Sequence, residues 1–260
     1  MKKNGAQKKK RFLWIVIPVA ILALLLSASL IYLESYYHAD DDAISAFSAD
    51  RTVAERTIDG NRVFDPGGAR IGLIFYPGGK VEQEAYVPLM REISANGVLC
   101  VLCRMPFRLA VLDMHAADGV REAFPEIESW YIGGHSLGGA VASIEAKAHP
   151  GVYAGMILLA SFSDRDLTQE SLRVLSVYGS EDGVLNREAY EQAKSLLPDD
   201  VTETVIDGGC HAGFGMYGAQ DGDGKPRITN EEQIRITAGM ILNWLNNGVS
   251  TDANADEDGK

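Results

Sequence analysis

The feature that most constrains the fold is a pentapeptide at residues 134–138, which reads Gly-His-Ser-Leu-Gly. It follows a short apolar run at residues 130–132 and precedes a stretch rich in small residues at 139–148. This order predicts a strand, a tight turn and a helix, with a strained backbone at Ser136 that holds the hydroxyl clear of the sheet. A glycine-rich turn that happens to carry a serine is the alternative. The strand-to-helix context favours a nucleophilic serine.

A nucleophilic serine needs a base to take its proton and a third group to orient that base. Residues 172–178 predict a buried strand, and the turn that follows, residues 179–183, carries two carboxylates. In open α/β sheets the chemistry gathers at the carboxyl ends of the strands, so one of these acids is expected in the site. Asp182, just before a glycine, is the preferred acid, and Glu181 is the alternative.

The base is sought among the five histidines of the chain. Residues 202–206 predict a late strand, and His211 lies on the loop after it. The other histidines are interpreted as structural, or as too close to the serine to serve as its base: His38, His115, His149 and His135. His211 is therefore the predicted base, with a loop histidine that has no role as the alternative.

Ser136, Asp182 and His211 follow one another in the order that the α/β-hydrolase fold uses, and here the chain resembles that superfamily. The resemblance covers residues 58–248. The motifs that carry it lie at residues 76–79, 134–138, 178–183 and 209–218. The last of these is similar to a motif of small, membrane-anchored members. The resemblance implies an uncapped serine hydrolase with a Ser-His-Asp triad.

An acyl-transfer site also needs two N–H donors that face the oxyanion of the tetrahedral intermediate. The backbone N–H of Leu137, directly after the nucleophile, is the first expected donor. The second should come from the loop after an early strand at residues 71–76. Comparison with the superfamily implies Gly79 as that donor, with Gly78 and Lys80 as the alternatives.

Alternating strand and helix signals between residues 58 and 248 predict one α/β domain with a doubly wound, three-layer, mostly parallel sheet. Helices are expected near residues 82–95, 116–124, 137–148, 187–197 and 231–246. Only a short connection separates the strand at residues 156–159 from the strand that begins at Leu172. No cap domain is therefore expected, and the site should be open to solvent.

The N-terminus carries six basic side chains within residues 1–11, followed by an almost entirely apolar run at residues 12–33. That run is long enough to cross a bilayer, and its basic flank predicts a cytoplasmic tail with the later residues on the far side. A signal peptide cleaved near the small residues 27–29, which would give a secreted protein, is the alternative. Residues 34–57 are expected to form a membrane-proximal stalk, and residues 249–260 a disordered acidic tail.

The charge of the chain restricts its partners. Beyond residue 11 the chain carries 18 basic and 36 acidic side chains, which gives a net charge of −18. Such a domain would be repelled by nucleic acid and by anionic lipid head groups. A polyanionic substrate is therefore not expected.

The cysteines and acidic clusters indicate neither a disulfide nor a metal site. Cys100 and Cys103 are spaced so that they face opposite sides of a strand, so buried packing is expected for them. A zinc site lacks ligands at a recognisable spacing, and residues 221–224 fall short of the calcium-loop pattern. No metal ion and no cofactor is expected.

Together these features predict a membrane-anchored serine hydrolase, best interpreted as a carboxylesterase, that acts on an accessible small-molecule ester on the extracytoplasmic side. Thioesterase, lipase and peptidase activities stay open as alternatives within the enzyme class. A catalytically idle hydrolase fold that serves as a binding or scaffold module is the alternative from another class. The oligomeric state is not predicted.

Overall fold

The computed structural model describes residues 3–48 and 53–255, and contacts divide the chain into two units, residues 1–36 and 37–260. The first unit is one helix, α1 (Lys3–Glu34), with Pro18 inside it. Its segment Val16–Glu34 has a mean hydropathy of 2.5, so by length and composition it could span a membrane or serve as a signal sequence. The apolar run predicted at residues 12–33 is thus helical.

The second unit is built on one sheet. Its strands are β1 (Ala54–Ile58), β2 (Asn61–Asp65), β3 (Ile71–Tyr76), β4 (Val98–Leu102), β5 (Ser129–His135), β6 (Tyr153–Leu159), β7 (Arg173–Gly179) and β8 (Val201–Ile206). Its helices are α2 (Asp41–Ser48), α3 (Val87–Ser94), α4 (Asp118–Glu122), α5 (Leu137–Ala148), α6 (Arg187–Ala193) and α7 (Asn230–Ala255). The strand order is β1-β2-β4-β3-β5-β6-β7-β8. Pairing is antiparallel at β1–β2 and β2–β4 and parallel from β4 to β8.

Helices cover both faces of the sheet. Alternate residues of a strand point to opposite faces, so Leu73 and Phe75 of β3 join one hydrophobic cluster while Ile74 and Tyr76 join another. The first cluster includes buried residues of α3 and α7, and the second includes buried residues of α4 and α5. The predicted three-layer, doubly wound, mostly parallel architecture is confirmed.

The three cysteines are buried and unpaired. Cys100 belongs to the cluster on one face of the sheet and Cys103 to the cluster on the other. Both therefore pack as small apolar side chains.

The connection between β6 and β7, residues 160–172, contains neither helix nor strand. In this fold a cap domain is often inserted there, and none is present in the described residues. The carboxyl ends of the parallel strands are therefore left without a covering domain, as the sequence predicts.

The start of the domain differs from the predicted boundary at residue 58, because β1 already belongs to the sheet. The strand reads Ala-Glu-Arg-Thr-Ile and is mostly exposed, so it has no alternation of apolar residues that would reveal it. Earlier still, Tyr37 forms a parallel bridge with Val81, and Phe47 is buried in the core. The predicted stalk (34–57) is thus largely part of the folded unit, and its residues 49–52 lie outside the described residues.

The end of the domain also differs from the predicted boundary. Helix α7 continues to Ala255, so the first part of the predicted tail (249–260) is helical. Residues 256–260 lie outside the described residues.

Candidate active site

The turn between β5 and α5 holds Ser136 in a conformation that L-residues rarely adopt, with φ 51° and ψ −123°. The chain reverses so sharply here that a Cβ on Gly134 would lie 2.4 Å from the carbonyl carbon of Gly138. A Cβ on Gly138 would lie 2.2 Å from the carbonyl oxygen of Tyr76. Only glycine fits at these two positions, and the pentapeptide is therefore required by the close approach of strand and helix.

Hydrogen bonds from β6 and the residues after it stabilise this turn. The N–H of Ser136 donates to the carbonyl of Leu159 at 2.9 Å, and the hydroxyl of Ser161 donates to the carbonyl of Ser136 at 2.7 Å. The backbone of the serine is thus satisfied on both sides, and its side chain remains partly exposed.

Asp182 and His211 form a hydrogen-bonded pair at the carboxyl ends of β7 and β8. The Oδ2 atom of Asp182 lies 3.0 Å from Nδ1 of His211, and both side chains are almost completely buried. The other oxygen, Oδ1, accepts from the backbone N–H groups of Val184 and Leu185 at 2.9 and 2.8 Å. An acceptor at Nδ1 favours the tautomer that carries its proton there, which leaves a lone pair on Nε2.

Glu181, the alternative acid, is directed elsewhere. Its Oε1 atom lies 3.0 Å from Nε of Arg227, and the hydroxyl of Ser180 donates to the same oxygen at 3.0 Å. Of the two neighbouring carboxylates, only Asp182 contacts His211 in the described residues.

His211 lies beside the turn that carries Ser136. Its ring is in contact with the ring of His135, the residue before the serine, with centroids 4.6 Å apart. The Nε2 atom of His211 is buried and has no hydrogen-bond partner in the part of the chain that the structure describes. Among the described residues, Nε2 of His135 is likewise buried and unpartnered. Catalytic hydrogen bonds are often long before substrate binds.

The loop after β3 separates the three candidates for the second oxyanion donor. The N–H of Gly78 donates to the hydroxyl of Tyr86 at 3.0 Å, and the N–H of Lys80 donates to the carbonyl of Arg108 at 2.8 Å. Within the described residues, the N–H of Gly79 has no such acceptor. The Cα atom of Gly79 faces the side chain of Leu137, since an added Cβ would lie 2.8 Å from its Cδ2.

The N–H of Leu137 begins α5 and has no acceptor within the helix. Gly79 thus lies against the side chain of Leu137, and in the described residues neither backbone N–H has an acceptor. This geometry favours Gly79 over Gly78 and Lys80.

Tyr86 connects the loop after β3 to the turn at Ser136, a role that no sequence pattern indicated. Its hydroxyl accepts from Gly78 and lies 2.8 Å from Nδ1 of His135. Burial raises the pKa of Tyr86. Burial, together with the neighbouring His211, lowers the pKa of His135 well below its ordinary value. Both side chains are therefore neutral, and the phenol proton is directed to His135.

Asp223 joins the acid loop to the base loop. Its Oδ1 atom accepts from the N–H groups of Gly183, His211 and Gly224 at 3.1, 3.1 and 2.8 Å, and its Oδ2 atom accepts from Ala212 at 2.8 Å. Burial acts to raise the pKa of Asp223, but these N–H groups favour the carboxylate, and the pKa lies below its ordinary value. From its sequence pattern, this acid was considered only as a calcium ligand, within residues 221–224.

The remaining histidines make other contacts. His38 lies 3.6 Å from the carboxylate of Glu82, whereas His115 and His149 both contact Glu145. None of these contacts includes the Asp182–His211 pair.

Comparison with known proteins identifies a related family. The model of a family described as "Alpha/beta hydrolase family" matches residues 72–235. No curated protein matches the chain.

Several solved structures are similar in fold. Est1E from Butyrivibrio proteoclasticus is 13% identical with a TM-score of 0.54, and the match covers 76% of this chain and 99% of that one. MGS-MChE2, an alpha/beta hydrolase enzyme from the metagenome of lagoon sediments at Mar Chica, Morocco, is 17% identical with a TM-score of 0.55 and covers 75% and 98%. A "predicted CIB-like hydrolase" from Thermoplasma acidophilum is 18% identical with a TM-score of 0.52 and covers 74% and 99%. At these identities the likeness concerns the fold.

The substitution Asp223→Asn should slow the reaction of Ser136 with a fluorophosphonate, a reagent for activated serine hydroxyls. In this variant an amide NH2 replaces one of the two carboxylate oxygens. A backbone N–H that donates to that oxygen would lose its acceptor, and the His211 loop would be displaced. Misplacement of this kind costs roughly tenfold to a hundredfold in rate. The rate is measured by mass spectrometry of the full-length chain.

Asp221→Asn, an exposed change two residues away, is the matched control and should react at the wild-type rate. Equal rates for both variants would contradict the positioning role of Asp223.

Because the pKa of Asp223 is lowered by folding, its contribution to stability is present at neutral pH. It is lost as the pH falls below the ordinary carboxyl value of about 3.9 and through the folded pKa.

Proposed function

The chain belongs to the alpha/beta hydrolase family, and from that premise we propose that it is a serine hydrolase that cleaves an accessible carboxylic ester through an acyl-enzyme. In this proposal Ser136 is the nucleophile, His211 the general base and Asp182 the group that orients the base. The N–H groups of Leu137 and Gly79 hold the oxyanion.

One observation carries the proposal: His211 is held by Asp182 at 3.0 Å through Nδ1, while its other ring nitrogen is buried and unpartnered among the described residues. An imidazole that is anchored on one side and free on the other, beside a strained serine, has the requirements of a general base. The Nε2 atom of His135 is also buried and unpartnered, but its Nδ1 contacts the phenol of Tyr86 and, within the described residues, no carboxylate anchors its ring.

The mechanism follows from these positions. Ser136 Oγ attacks the carbonyl carbon of the ester while Nε2 of His211 takes the hydroxyl proton, and Asp182 stabilises the imidazolium that forms. The carbonyl oxygen becomes an oxyanion that accepts from Leu137 and Gly79, and each such donor contributes on the order of a hundredfold or more in rate.

Collapse of this intermediate breaks the bond to the alcohol, which leaves with the proton from His211. Water then attacks the acyl-enzyme by the same route, with His211 as base, and releases the acid and free Ser136.

The connection between β6 and β7, residues 160–172, carries no cap domain, which supports a substrate that reaches the site from solvent. A site without a covering domain excludes water poorly, so it suits an activated acyl group such as an ester better than one that needs a dry cavity. Thioester, lipid and peptide substrates use the same residues and are separated by the substrate series below.

The location is part of the proposal. Helix α1 carries a segment with a mean hydropathy of 2.5, Val16–Glu34, after the basic residues 1–11. An uncleaved anchor with a cytoplasmic basic end would place the hydrolase unit on the extracytoplasmic side.

A fluorophosphonate probe should label the wild-type chain, whereas Ser136→Ala should abolish labelling. His211→Ala should slow it by on the order of a thousandfold or more, because the serine loses its base. Ser195→Ala removes an exposed serine elsewhere and should label like the wild type. A folded wild-type chain that resists the probe would contradict the proposal and favour a binding or scaffold module.

A series of nitrophenyl esters from acetate to octanoate tests the open site. In an enclosed pocket each methylene changes kcat/KM by about tenfold or more, so an open site should show less than about tenfold over the whole series. Parallel assays with a matched thioester and anilide should be slower than the ester. A steep optimum at one chain length, or a faster anilide, would contradict the open ester site.

Mass spectrometry of the mature protein purified from membranes tests the anchor. We expect an intact segment at residues 12–33 in the membrane-bound protein. A new N-terminus near Leu30 would instead indicate a cleaved signal peptide.

A further inference from the structure

A second group of titratable side chains lies where the C-terminal end of α5 meets the loop before α4. Glu145 and His149 belong to the end of α5, and His115 comes from that loop. The Oε2 atom of Glu145 lies 2.7 Å from Nδ1 of His115, and its Oε1 atom lies 3.0 Å from Nδ1 of His149. One potential ligand atom from each residue lies within 4.8 Å of the others, and the described residues contain no other such group of His, Cys, Asp or Glu.

The carboxylate of Glu145 is completely buried, which is costly for a charge unless it is well partnered. The hydroxyl of Tyr153 donates to its Oε1 atom at 2.8 Å, and the guanidinium of Arg121 lies 3.6 Å from the same oxygen. Arg121 also donates to the hydroxyl of Tyr153 at 2.6 Å. The carboxylate is thus held rigidly from one side, while its Oε2 atom faces His115.

We propose that His115, Glu145 and His149 bind one zinc ion, through Nδ1 of each histidine and a carboxylate oxygen of the glutamate. Two imidazoles and one carboxylate form a donor set that zinc uses in proteins, usually with a water in the fourth position. The histidine side chains are 48% and 27% exposed, so solvent can reach that position.

The distances suit the ion. Tetrahedral zinc with bonds of about 2.0–2.1 Å separates its N and O ligand atoms by about 3.3 Å. The separations of 2.7 and 3.0 Å, to Oε2 and Oε1 of Glu145, are shorter by a few tenths of an ångström. The three ligand atoms lie within 4.8 Å of one another, so the side chains would close on the ion by up to about 1.5 Å. His149 Nδ1 also lies 3.2 Å from the main-chain oxygen of Glu145. Zinc binds a deprotonated imidazole nitrogen, so any proton on Nδ1 would be released to solvent.

Asp118 completes the arrangement. Its Oδ1 atom lies 3.2 Å from Nε2 of His149, on the far side of the ring from Glu145. Histidine ligands of metals commonly donate their second N–H to a carboxylate, which fixes the ring and raises its basicity. Asp118 toward His149 has this geometry, and Tyr153 has the equivalent role toward Glu145.

The ion would brace the active-site helix from its far end. Helix α5 begins directly after Ser136 and ends at this cluster. Close to His115, the hydroxyl of Tyr76 donates to the carbonyl of Met114 and accepts from Ala117, both at 3.1 Å. Tyr76 immediately precedes the loop that carries Gly79. The ion would therefore link the far end of α5 to the segment that holds Tyr76 in place. The zinc site itself does not depend on the proposed ester hydrolysis.

The test is zinc titration by calorimetry of the full-length, untagged chain in detergent after removal of metals with a chelator. We expect one zinc per wild-type chain. His115→Asn and His149→Asn should each weaken binding at least a hundredfold, and Asp118→Asn should weaken it about tenfold to a hundredfold. His38→Asn, a histidine outside the cluster, is the matched control and should bind like the wild type.

A second measurement separates lost binding from misfolding. Without zinc, the His115 and His149 variants should unfold at temperatures close to that of the wild type. Added zinc should raise the Tm of the wild type and of His38→Asn but not of these two variants. Substitution with Co²⁺ should give the visible absorption of a histidine-ligated ion in the wild type but not in these variants. Equal zinc binding in wild type and both histidine variants would overturn the site, and so would a folded wild type that binds no zinc.

Discussion

The rest of the site depends on the strained backbone of Ser136. A non-glycine residue in such a conformation costs on the order of 1–3 kcal/mol, and it persists only where the surroundings leave no alternative. Here β5 and α5 meet so closely that Gly134 admits no side chain, and α5 lies so close to the end of β3 that Gly138 admits none, while β6 holds the main chain of the serine. Packing of α5 against β5 and β3 therefore maintains the partly exposed serine, and no ligand is needed to create it.

Around this turn, the other groups are placed by backbone hydrogen bonds that join separate loops. Asp223 accepts from the loop of Asp182 and from the loop of His211, so these residues cannot move apart independently. Tyr86 likewise joins the backbone of Gly78 to the ring of His135. Polar groups whose hydrogen bonds are satisfied in this way are rigid, and rigidity allows N–H donors to face a developing charge without rearrangement.

The sequence indicated those candidate site residues that lie next to a recognisable local pattern. The turn at residues 134–138, the acid after β7 and the histidine after β8 could each be located because glycines, apolar runs and strand ends lie beside them. Edge strand β1 was not predicted, because it carries the adjacent charged residues Glu55 and Arg56 and buries little. The contacts of Tyr86, Asp223 and Glu145 were not predicted, because most of their partners are distant in the chain and only the folded sheet brings them together.

The burial of the cysteines determines how well the protein tolerates an oxidising environment. Burial raises the pKa of the thiols of Cys100 and Cys103, and raises that of Cys210 to about 11. Since the thiolate is the nucleophile that attacks oxidants and disulfides, these side chains react slowly. The domain can therefore keep free thiols in an oxidising environment without being trapped in mispaired covalent dimers.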